Sequence, residues 1–338
     1  DADQRAFAQF VSRYISAFGR WNSPKFLFGE SYGTPRSAML VRTLQQQGIG
    51  INGVVLLSAI LDFSLDWDVN FAPAAIGGGD WAFPLYLPTE AASSWYHNRL
   101  PGGTTALGSL LPQVESFAMG EYLNALAQGA KLSPATYDDV VAKLHAYTGL
   151  SERYIRQSNL RVPYGRYETE LMRESGEMVG RLDARYTSYM LDRLSDRGDF
   201  DPTDASIDAA FVATGNHFMR DILAYRTTLE YRPLINVFSK WDWKHNGNLP
   251  TNTAPDLASA MTFDPKLRVF VGGGYYDFAT PYFAAIYTMN HLNIARALQQ
   301  NITYGFYESG HMVYLHPQSL VRFHDDLERW YTTVLTSR

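Results

Sequence analysis

The chain contains no cysteine among its 338 residues. This absence excludes disulfide bonds, zinc sites built on thiolates and catalysis by a cysteine nucleophile. It leaves the cellular compartment open, because proteins without cysteine occur in reducing and in oxidising surroundings.

The sequence is also poor in positive charge and in long apolar runs. It has 29 Lys and Arg against 34 Asp and Glu, and a formal net charge of -5. A nucleic-acid partner is therefore not expected, since no basic stripe could neutralise phosphates. No apolar run approaches the length of a membrane span, and the first residues, Asp1 to Gln4, do not resemble a signal peptide.

What is present suits a folded α/β protein with a sizeable core. Hydrophobic residues make up 46% of the chain and charged residues 19%, in one large domain or two smaller ones. Helical periodicity over residues 6–18 is followed by a short apolar strand at 25–28, a helix at 37–46 and a β-branched strand at 53–58. This alternation predicts a parallel sheet covered on both faces.

The middle of the chain differs from both ends. The strand signal stops after residue 63, and a Pro- and Gly-rich stretch covers residues 73–112. Helical patterns then cover residues 113–128, 134–147, 162–174, 186–194 and 205–228. Strand character returns at 267–272 and 302–307, with a helix at 282–298 between them and a last helix at 318–335.

These patterns predict two parts. Residues 1–61 and 263–338 form an α/β core, and residues 62–262 form an inserted, mainly helical cap that serves as a lid. The alternative is a separate helical domain with no role at the site.

A short motif indicates the chemistry. Gly29-Glu30-Ser31-Tyr32-Gly33 reads G-x-S-x-G and lies between a predicted strand and a predicted helix. That context is the nucleophile elbow of α/β-hydrolases, in which glycines leave room for a strained turn that exposes the serine. The motif predicts an α/β-hydrolase fold, with a mostly parallel sheet and a large inserted cap, and Ser31 as its nucleophile.

A serine nucleophile needs a base, and the base needs a carboxylate to orient it. Asp277 and His311 each follow a predicted strand, in the chain order Ser, Asp, His that α/β-hydrolases use. Structural roles are the alternatives, because Asp is common in turns and a buried His can bond to backbone.

Other acids and histidines are placed less well. Asp264 precedes its strand, and His316 and His324 lie before and within the last helix. The remaining candidates fall in the predicted cap: His97, His145, His217 and His245.

Taken together, the motifs resemble those of the serine carboxypeptidases, the S10 peptidase family, in its bacterial branch. The resemblance covers nearly the whole chain and is weaker in the predicted cap. The matching stretches are R-W-N-S-P-K at 20–25, G-E-S-Y-G at 29–33, G-Y-Y-D at 274–277, A-T-P at 279–281 and G-H-M-V at 310–313, with V-G-R-L-D-A-R-Y at 179–186 the weaker one.

The resemblance implies an enzyme that removes C-terminal residues from peptides through an acyl-enzyme on Ser31, with Asp277 and His311 completing the triad. It implies that Glu30, protonated, holds the substrate's terminal carboxylate, which an ionised acid would repel. The alternative for Glu30 is a structural acid. A secreted or periplasmic location is implied, and neither a metal nor a cofactor is expected.

The sequence departs from the family in two places. Family members carry an N-G-G-P-G oxyanion loop well upstream of the nucleophile, and nothing like it precedes Ser31. The backbone N–H of Tyr32 is one expected oxyanion donor. The second donor and the first strands are expected from an N-terminal part of the same precursor, either a separate fragment packed on the sheet edge or a segment not represented in this sequence. Tyr314 stands where relatives often have proline.

Two other functions are open. An esterase or acyltransferase could use the same fold and the same triad residues. A non-catalytic peptide-binding protein could keep the pocket without turnover.

Overall fold

The computed structural model describes residues 1–66, 79–103, 105–230 and 240–336. Residues 73–78 and 104 of the Pro- and Gly-rich stretch lie outside the described residues. None of the helices described is both long and apolar enough to cross a membrane.

Strands and helices alternate at the two ends of the chain, with mainly helices between. The strands are β1 (Phe26–Glu30), β2 (Gly53–Leu57), β3 (Glu177–Val179), β4 (Thr187–Tyr189), β5 (Arg268–Gly274) and β6 (Ile302–Tyr307). The helices are α1 (Ala2–Ala17), α2 (Gly33–Gln46), α3 (Phe63–Asp66), α4 (Ala82–Tyr96), α5 (Leu107–Phe117), α6 (Leu123–Gln128), α7 (Pro134–Thr148), α8 (Glu152–Gln157), α9 (Tyr164–Glu170), α10 (Pro202–His217), α11 (Ala254–Phe263), α12 (Tyr282–Asn290) and α13 (Pro317–Thr336).

The main sheet contains four parallel strands in the order β1-β2-β5-β6. Glu30 lies opposite Leu57, and Leu57 lies opposite Gly272, so the carboxyl ends of β1, β2 and β5 meet at one edge. The predicted α/β class and parallel sheet are confirmed. In open parallel sheets this is the edge at which ligands bind.

Alternate residues of β2 point to opposite faces of the sheet, and each face is covered. Val54 and Leu56 pack with α1, α2 and α11, whereas Val55 and Leu57 pack with Phe323 and other residues of α13. Full burial of such a side chain contributes about 1.5–3 kcal/mol. The prediction of a sheet covered on both faces is therefore confirmed.

The middle of the chain builds a core of its own that reaches the sheet. Buried residues of α4, α5, α7 and α9 form a cluster that includes Tyr276, Phe278 and Tyr282, which follow β5. The helical part thus packs directly on the loop that carries Asp277.

Three local predictions need correction. Residues 186–194 are not a helix: Thr187–Tyr189 pairs antiparallel with Glu177–Val179, because Thr and Tyr suit a pleated surface. The helix predicted at 205–228 is α10, which starts at Pro202 and gives way to a π-helical turn at Phe218–Ile222.

The helix predicted at 282–298 ends at Asn290. The Pro- and Gly-rich stretch contains α4 and the start of α5, although Pro88 and Pro112 lie inside these helices. Burial of their apolar faces offsets the helix-breaking tendency of proline.

Candidate active site

Ser31 lies on a tight turn between β1 and α2. Its backbone has φ of +54°, in the left-handed region that a side chain rarely adopts, and such strain concentrates at functional sites. The Ser31 amide donates to the Leu57 carbonyl at 3.0 Å, which ties the turn to the end of β2. The strand–turn–helix context predicted for Ser31 is confirmed.

The two glycines of the motif have different roles. A Cβ at Gly29 would lie 2.1 Å from the Gly33 carbonyl oxygen, so no side chain fits there. A Cβ at Gly33 would meet no atom within 4 Å. The expectation that both glycines make room is right for Gly29, where the Gly33 carbonyl approaches closely, and wrong for Gly33, whose own Cβ position is open.

Asp277 follows β5 and is fully buried. Its Oδ1 accepts hydrogen bonds from the Ala279 and Thr280 amides at 2.8 and 3.1 Å. Its Oδ2 accepts from the Thr280 hydroxyl at 2.7 Å and from His311 Nδ1 at 2.9 Å. Donors on both oxygens hold the carboxylate in one orientation, which an orienting group requires.

His311 follows β6 and is buried beside that carboxylate. Burial alone would lower the pKa of its imidazole, but the charge of Asp277, its hydrogen bond and the nearby Glu30 outweigh burial and raise the pKa. Because Nδ1 donates to Asp277, Nε2 is the nitrogen left to act as a base. The predicted pairing of Asp277 with His311 is confirmed as geometry.

The loops that carry Ser31 and His311 both attach to the end of β2. Leu57 accepts from the Ser31 amide at 3.0 Å. The next residue, Ser58, donates its hydroxyl to the His311 carbonyl at 2.6 Å. Within the described residues, no hydrogen bond joins Ser31 Oγ to His311. The structure therefore attaches both loops to one strand end. The hydrogen bond between Ser31 and His311 that a catalytic triad would use is not formed among the described residues, and such bonds often tighten only with substrate.

Glu30 ends β1, immediately before Ser31. The Tyr314 hydroxyl donates to both oxygens of its carboxyl, at 3.1 and 3.3 Å. Burial raises the pKa of Glu30, and the charge of His311 and the Tyr314 hydrogen bond offset this only in part. The direction of the pKa shift favours the protonated acid that the resemblance implies.

The side chain of Tyr32 contacts two tryptophans, while its backbone N–H has no acceptor among the described residues. Its hydroxyl accepts from Trp241 Nε1 at 3.0 Å, and its ring meets those of Trp241 and Trp243 edge to face. Across the ranges described, no protein acceptor takes the Tyr32 N–H. It can therefore donate to an oxygen bound beside Ser31.

The acids and histidines set aside in the sequence have other partners. His97 donates to the Ala184 carbonyl at 2.6 Å, and His245 bridges Asp1 and Asp256, each at 2.8 Å. The remaining partners are the Leu150 carbonyl for His145, Asp221 for His217, Ser319 for His316 and the Lys266 amide for Asp264.

One cluster in the described ranges, His324, Asp325 and Glu328 on α13, has the spacing for a metal ion. All three are exposed, and exposed acidic groups are common without a metal.

Sequence reasoning missed several residues that hold the site. Thr280 bonds to Asp277, and Ser58 bonds to His311. Asp183 and Arg185 bond to the loop before His311. Thr280 lies in the A-T-P stretch, and Asp183 and Arg185 lie in the weaker V-G-R-L-D-A-R-Y stretch. The contacts of Ser58, Asp183 and Arg185 join positions more than a hundred residues apart, so no local pattern shows them.

No family model matches the chain, and no curated protein matches it. Among solved structures, the chain is similar to one described as "Crystal structure of VinJ", with a TM-score of 0.35 and 14% sequence identity over 98% of this chain and 73% of that chain. A likeness this distant gives no information about activity.

Proposed function

We propose that the chain has the α/β-hydrolase fold and is a serine carboxypeptidase-like hydrolase, which removes C-terminal residues from peptides. The observation that carries the proposal is the buried Asp277–His311 pair, joined at 2.9 Å, at the same sheet edge as a serine held at φ +54°. The order Ser, Asp, His along the chain is that of α/β-hydrolases.

In the proposed reaction, Ser31 Oγ attacks the carbonyl carbon of the last peptide bond, and His311 Nε2 takes the hydroxyl proton. Asp277 stabilises the imidazolium through Nδ1, and the Tyr32 N–H donates to the oxyanion. The tetrahedral species collapses, the C–N bond breaks, and His311 gives its proton to the leaving amine. Water, deprotonated by His311, then hydrolyses the acyl-enzyme and restores Ser31.

Glu30 supports a peptide acid as the substrate rather than a neutral ester. A protonated carboxyl can donate a hydrogen bond to the terminal carboxylate, whereas an ionised one would repel it. The raised pKa of Glu30 favours this protonated form. Because Glu30 directly precedes Ser31, a terminal carboxylate bound to it would lie close to the attacked bond.

A second part of the proposal concerns the outer edge of β1. Among the described strands, β1 pairs only with β2, and Phe28 on it is 51% exposed. The neighbouring α1 exposes a stripe of rings, Phe7, Phe10, Tyr14 and Phe18. Unpaired edges and apolar faces of this kind favour a partner. An N-terminal fragment of the same precursor would cover them and bring the second oxyanion donor.

The test combines a covalent probe with a peptide assay. We expect a fluorophosphonate to label Ser31, and the chain, purified with any co-purifying fragment, to release the C-terminal residue from a blocked dipeptide. Ser31→Ala should abolish both. Ser16→Ala, which removes an exposed hydroxyl on α1, should change neither.

Three other results would contradict the proposal in different ways. Labelling with hydrolysis of esters but not of peptides would indicate the esterase or acyltransferase. Peptide binding without labelling would indicate a non-catalytic protein. Equal labelling of Ser31→Ala would place the nucleophile elsewhere. The secreted or periplasmic location stays a prediction from the resemblance.

A further inference from the structure

Residues 181–185, called the strap here, lie in the loop that joins β3 to β4, and they cross both loops of the Asp277–His311 pair. On one side, the strap is hydrogen-bonded to the residues before and after Asp277. The Phe278 amide donates to the Arg181 carbonyl, and the Ala184 amide donates to the Tyr276 carbonyl, each at 3.0 Å. The residues before and after Asp277 are therefore fixed to the same five-residue segment.

On the other side the strap holds the turn that carries His311. The His311 amide donates to the Leu182 carbonyl at 2.7 Å, and the Gly310 amide donates to Asp183 Oδ2 at 3.1 Å. A Cβ at Gly310 would lie 2.4 Å from the Cβ of Asp183. The glycine before His311 thus permits the close approach of the strap.

A buried ion pair stiffens this contact. The Asp183 and Arg185 side chains, 1% and 11% exposed, meet at 2.6 Å. Arg185 also donates to the Glu308 carbonyl at 3.0 Å and to the Ser309 hydroxyl at 3.3 Å. Breaking such a pair is costly, because it leaves one charge without compensation. Arg185 therefore holds the Asp183 side chain beside the loop that precedes His311.

Residues at the start of α10 form hydrogen bonds with the strap. Asp201, which caps that helix, accepts the Arg181 and Leu182 amides at 3.2 and 3.0 Å. The Thr203 hydroxyl, fully buried, accepts the Asp183 amide at 3.0 Å. A continuous chain of hydrogen bonds therefore runs from the helical part of the molecule to the backbone on either side of Asp277 and His311.

We propose that the strap is a positioning element: it sets the separation of the two loops and so the geometry of the His311–Asp277 hydrogen bond. Its catalytic meaning rests on the function proposed above. The strap touches no reacting atom in that function. It acts through His311, and displacement of such a group by about 1 Å can reduce a rate by about 100-fold.

The experiment uses two variants of different chemistry. Asp183→Asn keeps the shape but removes the charge that pairs with Arg185. Thr203→Val removes the hydroxyl that holds the Asp183 amide and changes no charge, so it separates positioning from direct electrostatics. Asp192→Asn is the matched control, because Asp192 is exposed and bonds only locally, to the Leu194 amide.

The first readout is the NMR titration of the His311 imidazole, which needs no turnover. The charges of Asp277 and Glu30 raise the pKa of His311, whereas that of Arg181, in the strap itself, lowers it. Neither variant removes any of these three charges, so a weaker His311–Asp277 hydrogen bond should lower that pKa and weaken the Nδ1 proton signal. The second readout is kinetic. We expect kcat and the rate of fluorophosphonate labelling to fall by about 10- to 100-fold, with little change in KM. The acid limb of the kcat profile should move to lower pH, because it follows the pKa of His311.

The outcomes separate the strap from the proposed function. Folded strap variants with the titration, labelling rate and pH profile of Asp192→Asn would overturn the positioning role. A wild-type chain that does not label would overturn the proposed function, while the titration still decides the strap. If Asp183→Asn does not fold, Thr203→Val carries the comparison.

Discussion

The two sides of the candidate site are built differently. Asp277 and His311 are buried and follow the inner strand β5 and the outer strand β6. Both Asp277 oxygens and His311 Nδ1 are hydrogen-bonded to the protein. Glu30 and Ser31 follow β1, an outer strand with Phe28 half-exposed, and Tyr314 is the partner of Glu30. The comparison indicates that the fold by itself fixes the Asp277–His311 pair, whereas the Ser31 side keeps the groups that a substrate of the proposed function would meet.

The largest effect is expected from the buried side. Asp277→Asn should reduce kcat by about 10⁴-fold, because an amide that donates to Nδ1 selects the wrong imidazole tautomer. The fold should persist, which thermal unfolding checks alongside the kinetics. Asp264→Asn is the control, since Asp264 caps a local turn. Equal activity of the two variants would mean that Asp277 only closes its turn.

A second prediction addresses the other side through pH. Burial raises the pKa of Glu30, so the acid is protonated below that raised pKa and loses its proton as pH rises through it. Above that pKa, KM for a peptide acid should rise about tenfold per pH unit. His311, whose pKa is also raised, must be neutral to act as a base and therefore sets the acid limb of the profile, while loss of the Glu30 proton sets the alkaline limb. Peptidase activity should therefore be bell-shaped, with its maximum between those two limbs.

Matched substrates and one variant test this assignment. A C-terminally amidated peptide carries no carboxylate, and its KM should stay flat at alkaline pH. Glu30→Gln keeps a donor that cannot ionise and should flatten the KM profile of the acid substrate. Parallel profiles for acid and amide in the wild type would show that Glu30 is only structural.

The contrast between the two sides also marks what the sequence could predict. The turn at Ser31 was predictable because its signal is local: an apolar strand, G-x-S-x-G and a helix adjoin in the chain. Asp277 and His311 were predictable because each follows its own strand. The contacts of the strap were not, although its residues lie in the V-G-R-L-D-A-R-Y stretch at 179–186, because Arg185 bonds to Glu308 across 123 positions. The helix predicted at 186–194 is wrong because residues 187–189 pair with 177–179, and this pairing outweighs the helical pattern.

A third prediction measures the contrast by hydrogen exchange. Within this chain, the β1 amides should exchange at least about tenfold faster than those of β5, because an outer strand opens at a lower free energy. A co-purifying N-terminal fragment should remove that difference, and intact mass and N-terminal sequencing would identify it. Equal protection of β1 and β5 in this chain alone would mean that the edge needs no partner.

The smallest effect is expected at Tyr314, the residue that joins the two sides. Its hydroxyl donates to both oxygens of Glu30, and this hydrogen bond lowers the pKa of Glu30 against the effect of burial. Tyr314→Phe should therefore shift the alkaline rise of KM to higher pH. At a pH within that rise, we expect peptide acids to bind about twofold to tenfold tighter, in keeping with one hydrogen bond, with kcat unchanged.

Tyr304→Phe is the control, because Tyr304 and Tyr314 are both 39% exposed. In a Glu30→Gln background, Tyr314→Phe should have no effect on the pH profile. A shift that persists there would show that Tyr314 contacts the substrate directly rather than acting through Glu30.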